Sequence, residues 1–270
     1  MSKWIGAIIG AVIGNIPGAI LGYLIGWLVD QRRQVQTFGF RQANSEQAQE
    51  TFFITTFTLL GYVAKADGRV SEAEIQQAEE LMNRLQLTAD HRRRAIALFK
   101  QGSSGDFELE DLIQSFNRDC GRHHNLRQML LVYLINLALA DEQLDHAEEN
   151  ALREIAQQLG IPTFAFDQMI RMIRAQNQFG GSHYQHGGHQ QGGAYQHTSS
   201  ANEIELAYQA LGVEASISDK DLKKAYRKLM SQYHPDKLMG QGLPEDMIQE
   251  ATERSKEIQV AYDVVRKSRR

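Results

Sequence analysis

His234, Pro235, Asp236 and Lys237 follow one another between two amphipathic stretches near the C-terminus. An imidazole and a carboxylate held across a proline make a corner that can act on another molecule. Proline fixes φ at about −65° and donates no hydrogen bond, so a helix running through Ser231, Gln232 and Tyr233 must stop there. Two acidic turns form a second candidate set, with Asp67 and Glu74 in one and Asp141 and Glu148 in the other. Their oxygens would suit Ca²⁺ or Mg²⁺. Neither turn has the oxygen density of an EF-hand, and helix capping by Ser71 with Glu74 and by Asp145 with Glu148 accounts for them without metal. His183, His186, His189 and His197 could chelate a softer divalent ion, or simply keep a polar segment in solution. No nucleophile–base set, His-Glu-x-x-His pattern or phosphate-cradling loop is present, so neither an enzyme nor a cofactor is expected.

The elements around the corner are legible. Ser218 followed by Asp221 resembles a capping box and starts a helix. Leu222, Ala225, Tyr226 and Leu229 recur at helical spacing on one face, leaving Lys223, Lys224, Arg227 and Lys228 on the others. Gly240, Gly242 and Pro244 read as a loop, and a second helix returns through Ile248, Ala251, Ile258, Ala261, Tyr262 and Val265. With a leading helix from Glu203 to Leu211, the segment is expected to be an α-hairpin.

Taken in order, Tyr208-x-x-Leu211-Gly212-Val213, Asp221 to Leu229, His234-Pro235-Asp236-Lys237 and Ile258-x-x-Ala261-Tyr262 resemble a J domain, the module shared by DnaJ-family co-chaperones. The resemblance implies a binding module whose partner is a DnaK-type chaperone ATPase. In such modules the basic helix steers onto an acidic surface, which suits Lys223, Lys224, Arg227 and Lys228. His234, Pro235 and Asp236 would then promote ATP hydrolysis by the partner. Ser255 departs from the pattern, since J domains often carry an aromatic residue there. The Gly/Phe-rich and Cys-x-x-Cys modules of other DnaJ relatives are missing, and Cys120 is the only cysteine.

At the other end, Trp4 to Val29 contains no charged side chain. As a helix it would be roughly 39 Å long, enough to cross a hydrocarbon core of about 30 Å. A signal peptide would have a shorter apolar region and a small-x-small cleavage site. Gly6, Gly10, Gly14, Gly18, Gly22 and Gly26 recur every fourth residue and trace a slanted groove, which favours a homodimer through close helix approach. Glycine is also simply common in spans. Arg32, Arg33 and Arg41 follow the span while Lys3 and the terminal amine precede it, which favours a cytoplasmic C-terminal side.

Between these ends the 270-residue chain, with a formal net charge of −4, is neither basic enough for bulk nucleic-acid binding nor acidic enough for disorder. From Gln47 to Gln176 helical patterns dominate and predict a bundle of about six to eight helices. Phe52, Phe53, Phe57, Leu60 and Val63 line the first helix; Ile75, Leu81, Met82 and Leu85 line the next. Ala66 to Glu74 matches Ala140 to Glu148, and Leu85 and Leu159 keep the register, so the segment is internally duplicated. This pattern resembles the TerB-like domain linked to tellurite resistance.

The expected chain is therefore all-α, with an anchor over 1–31, a helical domain over 47–176, a Gly/Gln/His tether over 177–202 and a J domain over 203–270. That order resembles membrane-anchored DnaJ-like co-chaperones of Gram-negative bacteria. It implies a single-pass protein in lipid at the bacterial inner membrane, N-terminus periplasmic, recruiting a DnaK-type ATPase on the cytoplasmic side. The alternative is a dimerising scaffold or sensor in envelope signalling, with the chaperone secondary.

Overall fold

Every regular element among the described residues is helical. The computed structural model describes residues 45–70, 72–139, 144–184 and 200–269. The apolar N-terminal stretch with its six glycines, Ser71, Asp141, and the tether residues 185–199 with His186, His189 and His197 lie outside them. No helix among the described residues is long and apolar enough to cross a membrane.

Helix α1 (residues 45–64) carries the predicted aromatic face, and Phe52, Phe53, Phe57, Leu60 and Val63 are all buried. It is followed by α2 (Glu72–Arg84), α3 (Ala89–Ser104), α4 (Leu109–Asp119), α5 (His124–Ala138), α6 (His146–Gln158) and α7 (Thr163–Tyr184). Seven helices among the described residues fall within the expected range. Helix α5 is the axis: Leu126 and every residue from Met129 to Ile135 are buried. A helix apolar on all sides can only be central. Around it Phe52 meets Phe116 at 5.9 Å and Tyr133 edge-on at 6.3 Å between ring centroids. Burying each such side chain contributes about 1.5–3 kcal/mol. Ile75 departs from its expected place: it stands out in solvent, and Ala78 joins Leu81, Met82 and Leu85 in the core instead.

Helices α1 and α3 cross at two glycines. A Cβ on Gly61 would lie 2.0 Å from the Phe99 carbonyl oxygen, and one on Gly102 would lie 1.9 Å from that of Thr58. Only hydrogen fits there, so the backbones touch directly.

The duplication has a structural counterpart. Helix α6 begins in a reciprocal cap, with Asp145 accepting from the Ala147 N–H and Glu148 accepting from the Asp145 N–H. Helices α2 and α6 then end alike. The Leu87 N–H reaches back to the Met82 carbonyl, and the Ile161 N–H to that of Ala156. The residue before each, Gln86 and Gly160, is left-handed at φ 49° and 72°. Both are Schellman endings, one of them without the usual glycine.

Two boundaries differ from expectation. Helix α7 runs eight residues into the segment read as a tether, because Ala175, Gln176 and Phe179 continue its buried face. The next helix, α8, begins at Ser200 and ends at Ala210. After α9 (Asp219–Gln232), the stretch read as a loop is largely a short helix, α10 (Pro235–Gln241), closed by Gly242 at φ 108°. Its anchor is Leu238, fully buried, a single residue that periodicity could not flag. A 3₁₀ turn (Glu245–Met247) leads into α11 (Ile248–Ser268).

Helices α8 to α11 do not stand apart from the seven before them. Residues Ala48–Arg270 form one compact unit. Helix α8 lies along α7, while α10 and α11 also meet α5 and α7.

Candidate functional site

The His-Pro-Asp corner is built from three directions. Helix α9 is started by Ser218, whose hydroxyl accepts from the Asp221 N–H at 3.1 Å and donates to the Asp221 carboxylate at 2.7 Å. Asp221 thus bonds the cap's hydroxyl, where a full capping box would bond the cap's own N–H. Leu222 and Leu229 sit in the core, and Ala225 and Tyr226 are half-buried beside them. Lys223, Lys224, Arg227 and Lys228 are all exposed, giving a solvated cationic face that can attract at long range. Helix α9 stops at Tyr233, which is buried, and burial pushes its phenol up to about 12.

His234 is extended, at φ −66° and ψ 121°, and serves as the N-cap position of α10. Pro235 occupies the first turn, where its missing N–H costs nothing and its fixed φ suits the helix. The His234 carbonyl accepts from the Lys237 and Leu238 N–H groups, both at 3.1 Å. Lys237 returns to the end of α9, donating to Ser231 Oγ at 2.8 Å. Behind the corner, the Ser255 hydroxyl donates to the Tyr233 carbonyl at 2.9 Å. The structure therefore pins the backbone on both sides of His234. It leaves the His234 and Asp236 side chains exposed and Pro235 half-exposed. Such a corner offers a rigid, partly charged tip for docking.

The two long helices close through Tyr226 stacked on Tyr262, with centroids 4.2 Å apart and planes at 17°. Arg269 fastens the far end, donating to Tyr208 Oη, the Ile217 carbonyl and Asp219. Beside His234 and Pro235 an open groove runs between Met230 and Val260, and Phe179 of α7 forms one of its walls.

Sequence reasoning overlooked a buried polar cluster at the start of α11. Arg254 reaches Glu250 at 3.3 Å and Glu257 at 2.9 Å. It also donates to Asn136 Oδ1 at 2.7 Å, while Asn136 donates to Glu250 at 2.9 Å. Burial works against the Arg254 charge, but Glu250 and Glu257 more than offset it and its pKa is raised. A charged i, i+4 pair ordinarily signals a solvated helix face, so no local pattern could have revealed this one.

The acidic turns separate into local roles where described. Asp67 accepts from the Arg69 N–H, and Glu148 belongs to the α6 cap. Among the described residues no group of three or more His, Cys, Asp or Glu converges as a metal site. Glu74 lies in the first turn of α2, and Asp141 is outside the described residues.

Three family models match the chain. Residues 1–43 match the co-chaperone DjlA transmembrane domain, residues 53–171 the tellurite resistance protein TerB and residues 206–270 the DnaJ domain. The co-chaperone protein DjlA of Vibrio vulnificus (strain YJ016) is 38% identical over 240 residues, covering 86% of this chain and 84% of the relative. The chain belongs to the DjlA family. The relative from Yersinia pestis is 40% identical over 230 residues, covering 84% and 83%. That from Pasteurella multocida is 39% identical over 232 residues, covering 82% and 80%. No solved structure matches. Within this DjlA-family chain, the DnaJ match contains the whole His-Pro-Asp corner and the basic helix α9.

Proposed function

We infer that this protein is a membrane-tethered co-chaperone that binds a DnaK-type chaperone through α9 and the corner after it, and stimulates its ATPase. One observation carries the reading: His234 and Asp236 project from a backbone fixed on both sides, next to the exposed Lys223, Lys224, Arg227 and Lys228. A rigid tip beside a solvated cationic face divides the work between specificity and rapid encounter. Catalysis stays with the partner. The relatives named co-chaperone protein DjlA support the same assignment.

The uncharged span from Trp4 to Val29 supports insertion in the inner membrane, and the arginines after it support cytoplasmic placement of the J domain. Confinement to the membrane raises local concentration, so modest affinity for the chaperone suffices. The glycine repeat from Gly6 to Gly26 favours a homodimer through the span. If dimerisation in envelope signalling were the main event instead, Gly14→Leu would abolish activity with ATPase stimulation intact.

The test is His234→Gln in the full-length protein, with ATP hydrolysis by the cognate DnaK-type chaperone as readout. Stimulation should fall to the unstimulated rate while far-ultraviolet circular dichroism stays unchanged, since the ring is exposed. Equal stimulation by both proteins would refute the assignment.

A further inference from the structure

The J domain and the TerB-like domain share a seam across which buried polar groups find partners. Gln176 of α7, fully buried, donates to the Ala210 carbonyl at 2.9 Å and accepts from Arg254 at 3.4 Å. The buried Tyr133 of α5 donates to the Met247 carbonyl at 2.6 Å. Asn136 of α5 both gives to Glu250 and takes from Arg254. At the rim, His91 pairs with Asp246. The Gly242 backbone also closes on the Ala48 methyl: a Cβ on Gly242 would lie 2.6 Å from the Ala48 Cβ. The buried Gln176 amide, the Tyr133 phenol and the Glu250 and Arg254 charges would each be costly to leave without partners. A seam that matches so many of them in register is a specific interface, unlike an incidental contact between tethered bodies.

The seam takes the J domain by α8, the 3₁₀ turn and the first half of α11. It leaves the His234 and Asp236 side chains and the cationic residues of α9 in solvent. Only fifteen residues separate Tyr184 from Ser200, which places the two surfaces at an effective concentration of about millimolar within one chain.

We propose that the α5–α7 face of the TerB-like domain is a built-in receptor for the chain's own J domain, and that the J domain engages its chaperone while docked there. The second half rests on the co-chaperone reading above; the first does not. The docked form fixes the direction in which His234 points, so the TerB-like domain sets the approach of the chaperone.

The test uses the full-length protein in lipid nanodiscs with His91→Cys and Asp246→Cys joined by a short bis-maleimide; Cys120 is buried and stays unreacted. The link should form within one chain, and the linked protein should stimulate the chaperone ATPase within about twofold of the unlinked variant. Separately, Asn136→Asp removes the donor to Glu250 and sets a second carboxylate beside it. It should raise the maleimide labelling rate of a Met172→Cys thiol, covered by Gly212 in the docked form, about tenfold. Links between two chains, or a labelling rate unmoved by Asn136→Asp, would overturn the receptor. Stimulation lost in the linked form alone would overturn the docked working state. Stimulation absent from the unlinked variant and the parent alike would overturn the co-chaperone reading and leave the receptor standing on its link.

Discussion

Arg254→Met is the most demanding test of how this unit holds together. The Arg254 side chain is 5% exposed and that of Glu250 is 4% exposed. Methionine keeps much of the length and removes the charge. Four contacts go with it: Glu250, Glu257, Asn136 and Gln176. Glu250 then retains the Asn136 amide at 2.9 Å with its charge uncompensated. Removing one member of a buried ion pair costs about 3–5 kcal/mol, which lowers the folded-to-unfolded ratio by roughly two to four orders of magnitude. Urea unfolding followed by far-ultraviolet circular dichroism reads this directly. Tryptophan emission would not serve, since Trp4 and Trp27 both lie in the N-terminal span. Adding Glu250→Leu should recover most of the loss, because a buried pair replaced by apolar groups is often neutral or stabilising. A single variant within about 1 kcal/mol of the parent, or a double variant weaker than the single, would show that the cluster does not act as one buried unit.

Gly61→Ala should destabilise by about 1–3 kcal/mol, since the new methyl meets the Phe99 backbone and must part α1 from α3; a thermal midpoint equal to the parent's would refute the close crossing. Gln86→Gly should stabilise by up to about 1 kcal/mol, because glycine relieves the left-handed strain at φ 49°; lower stability would mean that its side chain matters more than its backbone. Glu257 offers a pH test. Burial raises its carboxyl above the ordinary 4.5, with Arg254 opposing only in part and Glu250 adding to the rise. Its protonated form therefore favours folding, a contribution complete below 4.5 and lost as pH climbs through the raised value. The stability of Glu257→Gln relative to the parent should accordingly improve from pH 4.5 towards neutrality, and a flat difference would contradict the shift.

Short-range chemistry made much of this protein legible in its sequence. Caps need only neighbours, so Ser218 and Asp145 announced their helices. Apolar spacing located the faces of α1 and α9, and the ordered motifs around His234 fixed the J domain. The misses have two sources. Gly242 and Pro244 lie in irregular chain as their types suggest, but buried Leu238 holds a short helix, α10, that takes in Gly240 and that no periodicity announced. Contacts distant in sequence left no periodic trace: Gly61 and Gly102 look like any helical glycines until α1 meets α3. Glu250 and Arg254 carry no local sign that Asn136 of α5 and Gln176 of α7 meet them. The same is true of the tether, where burial of Gln176 and Phe179 extends α7 past the point at which composition changes.

The groove beside Pro235 has a consequence for interchangeability. Where J domains often carry an aromatic residue, Ser255 spends its hydroxyl on the Tyr233 carbonyl, and a phenyl ring from α7 borders the space nearby. A replacement module grafted from another lineage would bring a bulky ring to a slot bordered by Phe179. It would also lack the hydroxyl that steadies the turn. The halves of this protein are thus matched parts, and recombination that exchanges one without the other yields a chimera with a misfit at its most sensitive joint.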